Sequence, residues 1–191
     1  MTDIRESGSR ARTRQAILDA AVEVLARTPS ASLGDVAAVA GVGRTTLHRY
    51  FPERADLLTA LREEAEKRLS EAHDRARVGS DTGAAAIHRL CQEYFDLGDL
   101  LSLMFTEQLS AESPGHEAAR CDGEFEEMVR RGHRDGTVDP ELPATWITSL
   151  IWSQLYAGWS YIAEHGVSRH EALRLILRSI AGAVTPPRRE V

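Results

Sequence analysis

Apolar residues recur along this chain at intervals of three and four, and the pattern breaks at a few proline- or glycine-bearing points. Between Thr13 and Ala26, the residues Ile17, Ala21, Val24 and Leu25 fall on one face of a helix. Pro29 ends that run. Ser32, followed three residues on by Asp35, resembles a capping box with Asp in place of the usual Glu or Gln. It opens a short second helix whose Leu33, Val36, Ala37 and Ala40 share a side. Gly41 supplies a sharp reversal. Leu47 and Phe51, four apart, then anchor a third short helix. Beyond Pro52, Leu57, Leu58, Leu61, Ala65, Leu69, Ala72 and Ala76 sketch a long helix ending near Gly79. The register resumes with Ile87, Leu90, Cys91, Tyr94, Phe95 and Gly98, then from Leu100 to Leu109. A further helix is expected from Pro114 to Arg134, with Phe125, Met128 and Val129 inward. The turn-rich stretch 135–143 leads through Pro143 into a helix running to Gly166. Ser168 with Glu171 predicts the capped start of a last helix, which ends before Pro186. No alternation of period two and no repeat competes, so the pattern predicts an all-α protein of about nine helices.

The second and third helices carry the most specific chemistry. With Leu47 and Phe51 turned inward, Arg44, Thr45, Thr46, His48, Arg49 and Tyr50 face out, and no acid occurs from Arg44 to Pro52. Threonine offers a methyl and a hydroxyl to base edges, arginine a bidentate fork to guanine, and Tyr and His donors to phosphate. An ordinary helical hairpin with a polar surface would more often carry Glu, Lys and Gln. This is the layout of a helix-turn-helix with an exposed recognition helix.

The run from Gly41 through Arg44-Thr45-Thr46-Leu47-His48-Arg49-Tyr50-Phe51-Pro52 to Leu58 resembles the signature of TetR-family transcriptional regulators. The likeness is close from about Arg12 to Leu61 and architectural elsewhere. It implies an N-terminal three-helix DNA-binding head and a C-terminal helical body for ligand binding and dimerisation. Arg44, Thr45 and Thr46 match base-contacting positions, with His48, Arg49 and Tyr50 along the phosphates. His48 stands where the family usually has Tyr, and Tyr50 where it often has His. Arg54 matches a position usually held by Lys; it is either a phosphate contact or a solubilising charge. The division expected is a flexible arm over 1–10, a DNA-binding domain over 11–56, a body over 57–185 and a tail over 186–191. Arg10, Arg12 and Arg14 give a basic arm that lies along the phosphate backbone or forms a solvated tail.

The net charge of −6 looks wrong for a DNA binder until the chain is divided. Residues 1–54 hold eight Arg against six acids, a net +2, so the remainder carries −8. A mildly basic head on an acidic body suits contact with DNA at one end only. At 191 residues, 42% hydrophobic and 27% charged, the composition is that of a globular chain. No apolar run is long enough for a membrane span and no secretory signal is evident, so a cytoplasmic protein is expected. Cys91 and Cys121 make no disulfide framework.

The last two helices are apolar on more than one side. Trp146, Ile147, Leu150, Ile151, Trp152, Leu155, Tyr156, Trp159, Tyr161 and Ile162 surround the first; Leu173, Leu175, Ile176, Leu177, Ile180 and Val184 widen the second. One side packs on the protein's own core and the other on a partner. The resemblance implies a homodimer through about 143–166 and 168–184. Two heads would then read half-sites about one helical turn apart.

Trp152, Tyr156 and Trp159 share a face. With Tyr94, Phe95, Met104, Phe105, Phe125 and Met128 they line an apolar cavity or else form core and dimer interface. Gln108, Ser149, Ser153 and Gln154 are the polar contacts considered. His88 with Cys91, and His116 with Cys121, lack the spacing of structural zinc sites, so neither metal nor cofactor is expected. No nucleophile-and-base arrangement or phosphate loop is present, so an enzyme is not expected. The expected function is a repressor released from a palindromic double-stranded DNA operator by a small hydrophobic or aromatic effector. Alternatives are a helix-turn-helix interaction protein without ligand control and a thiol-responsive regulator.

Overall fold

The computed structural model describes residues 3–104 and 116–187. These form nine helices and no strand: α1 (Asp3–Arg27), α2 (Leu33–Val39), α3 (Arg44–Tyr50), α4 (Arg54–Ala76), α5 (Gly83–Phe95), α6 (Asp99–Met104), α7 (His116–Asp135), α8 (Ala144–His165) and α9 (Arg169–Val184). Two compact units divide the described residues, 3–65 with 99–104, and 66–98 with 116–187. Helix α4 runs through both. No described helix is long and apolar enough to cross a membrane.

In the first unit, Ile17, Leu18, Ala21 and Leu25 of α1 meet Val36 of α2, Leu47 of α3, Phe51 and Leu57 and Leu61 of α4. Leu100 and Leu103 complete this core, so α6 belongs to the head unit although its sequence lies beyond residue 57. The cap at α2 is reciprocal: Ser32 N donates to Asp35 Oδ2 at 2.8 Å, and Asp35 N donates to Ser32 Oγ at 3.2 Å. The Ser32 hydroxyl, followed by its backbone N–H, holds the Asp35 carboxyl below the usual range. A carboxyl lowered by folding adds stability above its ordinary pKa, and that contribution fades as pH falls through the lowered value. Gly41 turns the chain at φ 67°.

The apolar pattern places the start of α1 at Thr13, but the helix begins at Asp3. Residues 3–12 contain no proline and several good helix formers. They carry no apolar stripe. The arm expected over 1–10 overlaps the start of α1 at Asp3. The helix expected to reach Leu109 is described only to Met104.

In the second unit α5 packs on α7, α8 and α9. Its buried face comprises Ala86, Ile87, Leu90, Cys91, Tyr94 and Phe95. Gly83 N donates to Asp135 Oδ2 at 2.9 Å and Ala84 N to Thr137 Oγ1 at 3.1 Å, which fastens the first turn of α5 to the end of α7. On α8, Ile147, Ile151, Leu155 and Gly158 form one buried stripe. On α9 the stripe is Ala172, Ile176, Ile180 and Val184. The other side of α8 stays open in the single chain, with Trp146 59%, Tyr156 54% and Tyr161 39% exposed.

Candidate DNA-reading surface and body cavity

Helix α3 is pinned from beneath. Leu47 is fully buried, its N–H donates to Gly43 O at 3.0 Å, and its carbonyl accepts from Phe51 N at 2.9 Å. Arg44, Thr45, His48 and Arg49 are consequently exposed, and Thr46 and Tyr50 are half-buried. Helix α2 gives Arg44 a bed: a Cβ on Gly34 would lie 3.1 Å from the Arg44 guanidinium, which occupies the space a side chain would take. The Arg49 guanidinium lies 5.7 Å above the Tyr50 ring. His48 Nδ1 is 3.2 Å from Pro52 O. A carbonyl only accepts, so in this contact the proton sits on Nδ1 and Nε2 can donate to a phosphate only in the imidazolium form. Arg14 lies 5.7 Å from the Phe51 ring centre and 3.9 Å from Glu63, so this member of the basic arm is engaged with the head.

Arg54, the further cation expected at a phosphate, is bonded within the head. Its guanidinium donates to Pro29 O at 2.6 Å and to Ala31 O, tying the α1–α2 loop to the start of α4. Arg54→Ala is expected to cost about 1–2 kcal/mol of stability while leaving the salt slope of DNA binding unchanged. A slope reduced by about one would restore the phosphate role.

In the second unit, Tyr94 and Trp152 stack with ring centres 5.3 Å apart and 16° between planes. They border two hollows of about 60 and 120 Å³ that share Tyr94, Cys121, Asp122 and Trp152. Phe125, Leu90, Ile151 and Thr148 floor the smaller one; Glu66, Leu69 and Ser70 flank the larger. Behind the wall, His73 is 1% exposed, with Nε2 3.0 Å from Glu124 Oε2 and Nδ1 3.4 Å from the Tyr94 hydroxyl.

Of the residues expected to line a cavity, Tyr94, Phe125 and Trp152 converge. Phe95 and Trp159 stack on each other at 5.1 Å, with the Arg169 guanidinium 5.5 and 5.0 Å from their ring centres. Met128 is fully buried core, and Met104 packs against the head core. Tyr156 and Ser153 are exposed on α8. Ser149 is exposed and donates to Thr145 O, and Gln154 lines a groove between α8 and α9. Phe105 and Gln108 lie outside the described residues. The sequence pattern passed over Glu66, His73, Cys121 and Asp122 as lining. His73 carried a signal, standing four after Leu69 in the apolar stripe of α4.

His88 is exposed while Cys91 is buried, so that pair does not converge on a metal. Burial pushes the Cys91 thiol up to about 12. The thiolate needed for oxidation is therefore absent there, and any thiol response falls to half-buried Cys121.

A family model described as bacterial regulatory proteins, tetR family, matches residues 17–61. The HTH-type transcriptional repressor LfrR of Mycolicibacterium smegmatis is 41% identical over 184 residues, 96% of each chain. The HTH-type transcriptional regulator NfxB of Pseudomonas aeruginosa is 27% identical over 132 residues, 67% of this chain and 71% of that one. Among solved structures, the TetR-like regulator LfrR from Mycobacterium smegmatis in complex with proflavine gives a TM-score of 0.70 at 37% identity, covering 92% of this chain and 99% of that one. A second crystal structure of LfrR gives 0.63 at 32% identity, covering 90% and 99%.

Proposed function

This chain belongs to the TetR family of bacterial transcriptional regulators, and from that premise we propose a homodimeric repressor that reads a palindromic operator through α3 and is released by a flat aromatic effector bound in the body. The acid-free face of α3, held out by buried Leu47, carries the reading. Arg44, Thr45 and Thr46 read base edges. Arg49 and Tyr50 hold phosphates, with His48 joining them when protonated.

The second apolar side of α8 and α9 is the dimer face. Trp146, Tyr156 and Tyr161 stand exposed there, beside an apolar groove of about 200 Å³ bordered by Ala157, Gly158 and Leu175. A second copy of the chain covers it and sets two heads at half-site spacing.

The cavity beside Tyr94 and Trp152 takes the effector. Proflavine is the natural first probe, since LfrR is known in complex with it. Helix α4 couples the two functions by continuity: Glu66 and His73 border the hollows, while Leu57 and Leu61 of the same helix sit in the head core. An effector that prefers a different setting of α4 shifts the population away from the DNA-competent form.

Selection from randomised duplex DNA at physiological salt tests the reading. A recovered palindrome supports it; a single asymmetric site, or nothing above background, overturns the dimeric reader. On the recovered operator, Thr46→Ala is expected to relax one base position at a cost of about 1–3 kcal/mol. Tyr50→Phe is expected to weaken all sequences alike. Altered base preference in Tyr50→Phe would overturn that division of labour.

A further inference from the structure

We propose that Gly34 is a specificity-determining residue of the DNA-reading surface: by lacking a side chain it lets Arg44 lie against α2, and that placement selects the guanine Arg44 reads. This rests on the reading of α3 as the recognition helix and adds a residue of α2 to it. Three observations carry it.

First, nothing in the backbone calls for glycine at this position. Gly34 is the second residue of α2 and, unlike Gly41, has no left-handed φ. Glycine within a helix is less favourable than alanine, because a freer chain has to be ordered. What Gly34 supplies is room on the surface of α2. The atoms nearest a Cβ built there are Nε and Nη2 of Arg44, at 3.1 Å each, and Cζ at 3.3 Å. No backbone or core atom comes closer, so the missing side chain makes room for Arg44 before anything else.

Second, Arg44 has no competing engagement. Arg14 is held by Phe51 and Glu63, Arg49 lies over the Tyr50 ring of its own helix, and Arg54 bonds two carbonyls. Arg44 makes no hydrogen bond or ion pair among the described residues. Its donors stay available to a base while contact with α2 sets its position.

Third, the charge on α2 favours the same placement. The carboxyl of Asp35, next to Gly34, is held low first by the Ser32 hydroxyl and backbone N–H, and further by the positive charge of Arg44. That attraction is mutual, so anionic Asp35 draws the guanidinium towards α2. An arginine held in one place before binding loses less freedom on meeting the O6 and N7 acceptors of guanine. One free to sweep also meets neighbouring bases and phosphates, and discriminates less.

Gly34→Ala separates this role from packing. The added methyl meets the far end of a flexible side chain, so Arg44 moves and the fold does not. The thermal midpoint is expected to hold or to rise by up to about 4 °C. Binding is measured on the duplexes recovered by selection from randomised DNA and on each of their single-base changes. The proteins compared at one salt concentration are the full-length parent, Arg44→Ala, Gly34→Ala and the double variant. Arg44→Ala is expected to lower the preference for one G·C pair of each half-site by about tenfold. Gly34→Ala is expected to lower it at that same pair by about fivefold, the worth of one immobilised side chain, and to leave other positions alone. In the Arg44→Ala background, Gly34→Ala is expected to change nothing further. Full preference kept in Gly34→Ala, or an equal effect of Gly34→Ala without the Arg44 side chain, overturns the role of Gly34 and leaves the recognition helix standing. A lowered thermal midpoint overturns it too, by assigning the glycine to packing. If Arg44→Ala leaves every base preference unchanged, or no duplex is recovered, Arg44 is not a base reader and the inference falls with that reading.

Discussion

Leu47→Ala is expected to remove about 3 kcal/mol of stability and to abolish operator binding at concentrations where the parent is saturated. Leu47 is the one fully buried residue of a seven-residue helix. A helix that short has no stability of its own in water and exists because one side chain is gripped by its neighbours. The grip is made by Val36, Phe51, Leu57 and the buried residues of α1. Truncation loses the transfer energy of the leucine and leaves a hole that rigid helix backbones close only partly. For a protein held by about 5–15 kcal/mol, that is a large share, and it falls on the helix that presents Arg44 to Tyr50. Thr46→Ala, one residue away, touches no such core and is expected to hold stability within about 0.5 kcal/mol while losing base discrimination. Denaturation and operator binding measured on both variants separate the roles. A Leu47→Ala protein as stable as the parent would show that α3 is held by something other than this contact.

The head was legible because its signals are local. The reciprocal Ser32–Asp35 cap, the reversal at Gly41 and the Leu47–Phe51 spacing each lie within a few residues, and each has its expected place in the structure. Two features of the same unit were not legible. The start of α1 at Asp3 comes without an apolar stripe, so a periodicity reading cannot register it. The membership of α6 depends on where Leu100 and Leu103 are buried. Spacing announces that a helix has an apolar side; it does not say which unit that side joins.

The cavity was legible in kind and blurred in detail for the same reason. Tyr94, Phe125 and Trp152 meet around it, whereas Phe95 and Trp159 find each other and Arg169 instead. All five stand at helical spacing on apolar sides. What separates lining from core is the cross-chain partner, and Arg169 gives no hint in sequence of lying over two aromatic rings. The acids of the rim were overlooked because charged residues on a helix usually face solvent. Asp122 does face solvent, but beside an aromatic wall.

Gly83→Ala is expected to be the most damaging small substitution in the second unit, costing about 3 kcal/mol or more. A Cβ built on Gly83 would stand 2.3 Å from Gly132 Cα, 2.6 Å from Gly132 N and 3.0 Å from Met128 O. All three are backbone atoms, so no rotamer change relieves the clash and α5 must move off α7. That movement takes with it the bond from Gly83 N to Asp135 and from Ala84 N to Thr137, and exposes Val138 and Met128, both fully buried. Gly123→Ala on the same α7 is the matched control. It is exposed, a Cβ there meets nothing within 4 Å, and replacing a helical glycine is expected to add about 0.5–1 kcal/mol. Thermal denaturation of the two variants should therefore move in opposite directions from the parent. If both rise, the α5–α7 contact yields to a methyl group and the close approach is not what fixes these helices. If Gly83→Ala falls while operator binding at low temperature persists, the head reads DNA without help from the packing of α5 on α7, and the cost of the variant belongs to the body alone.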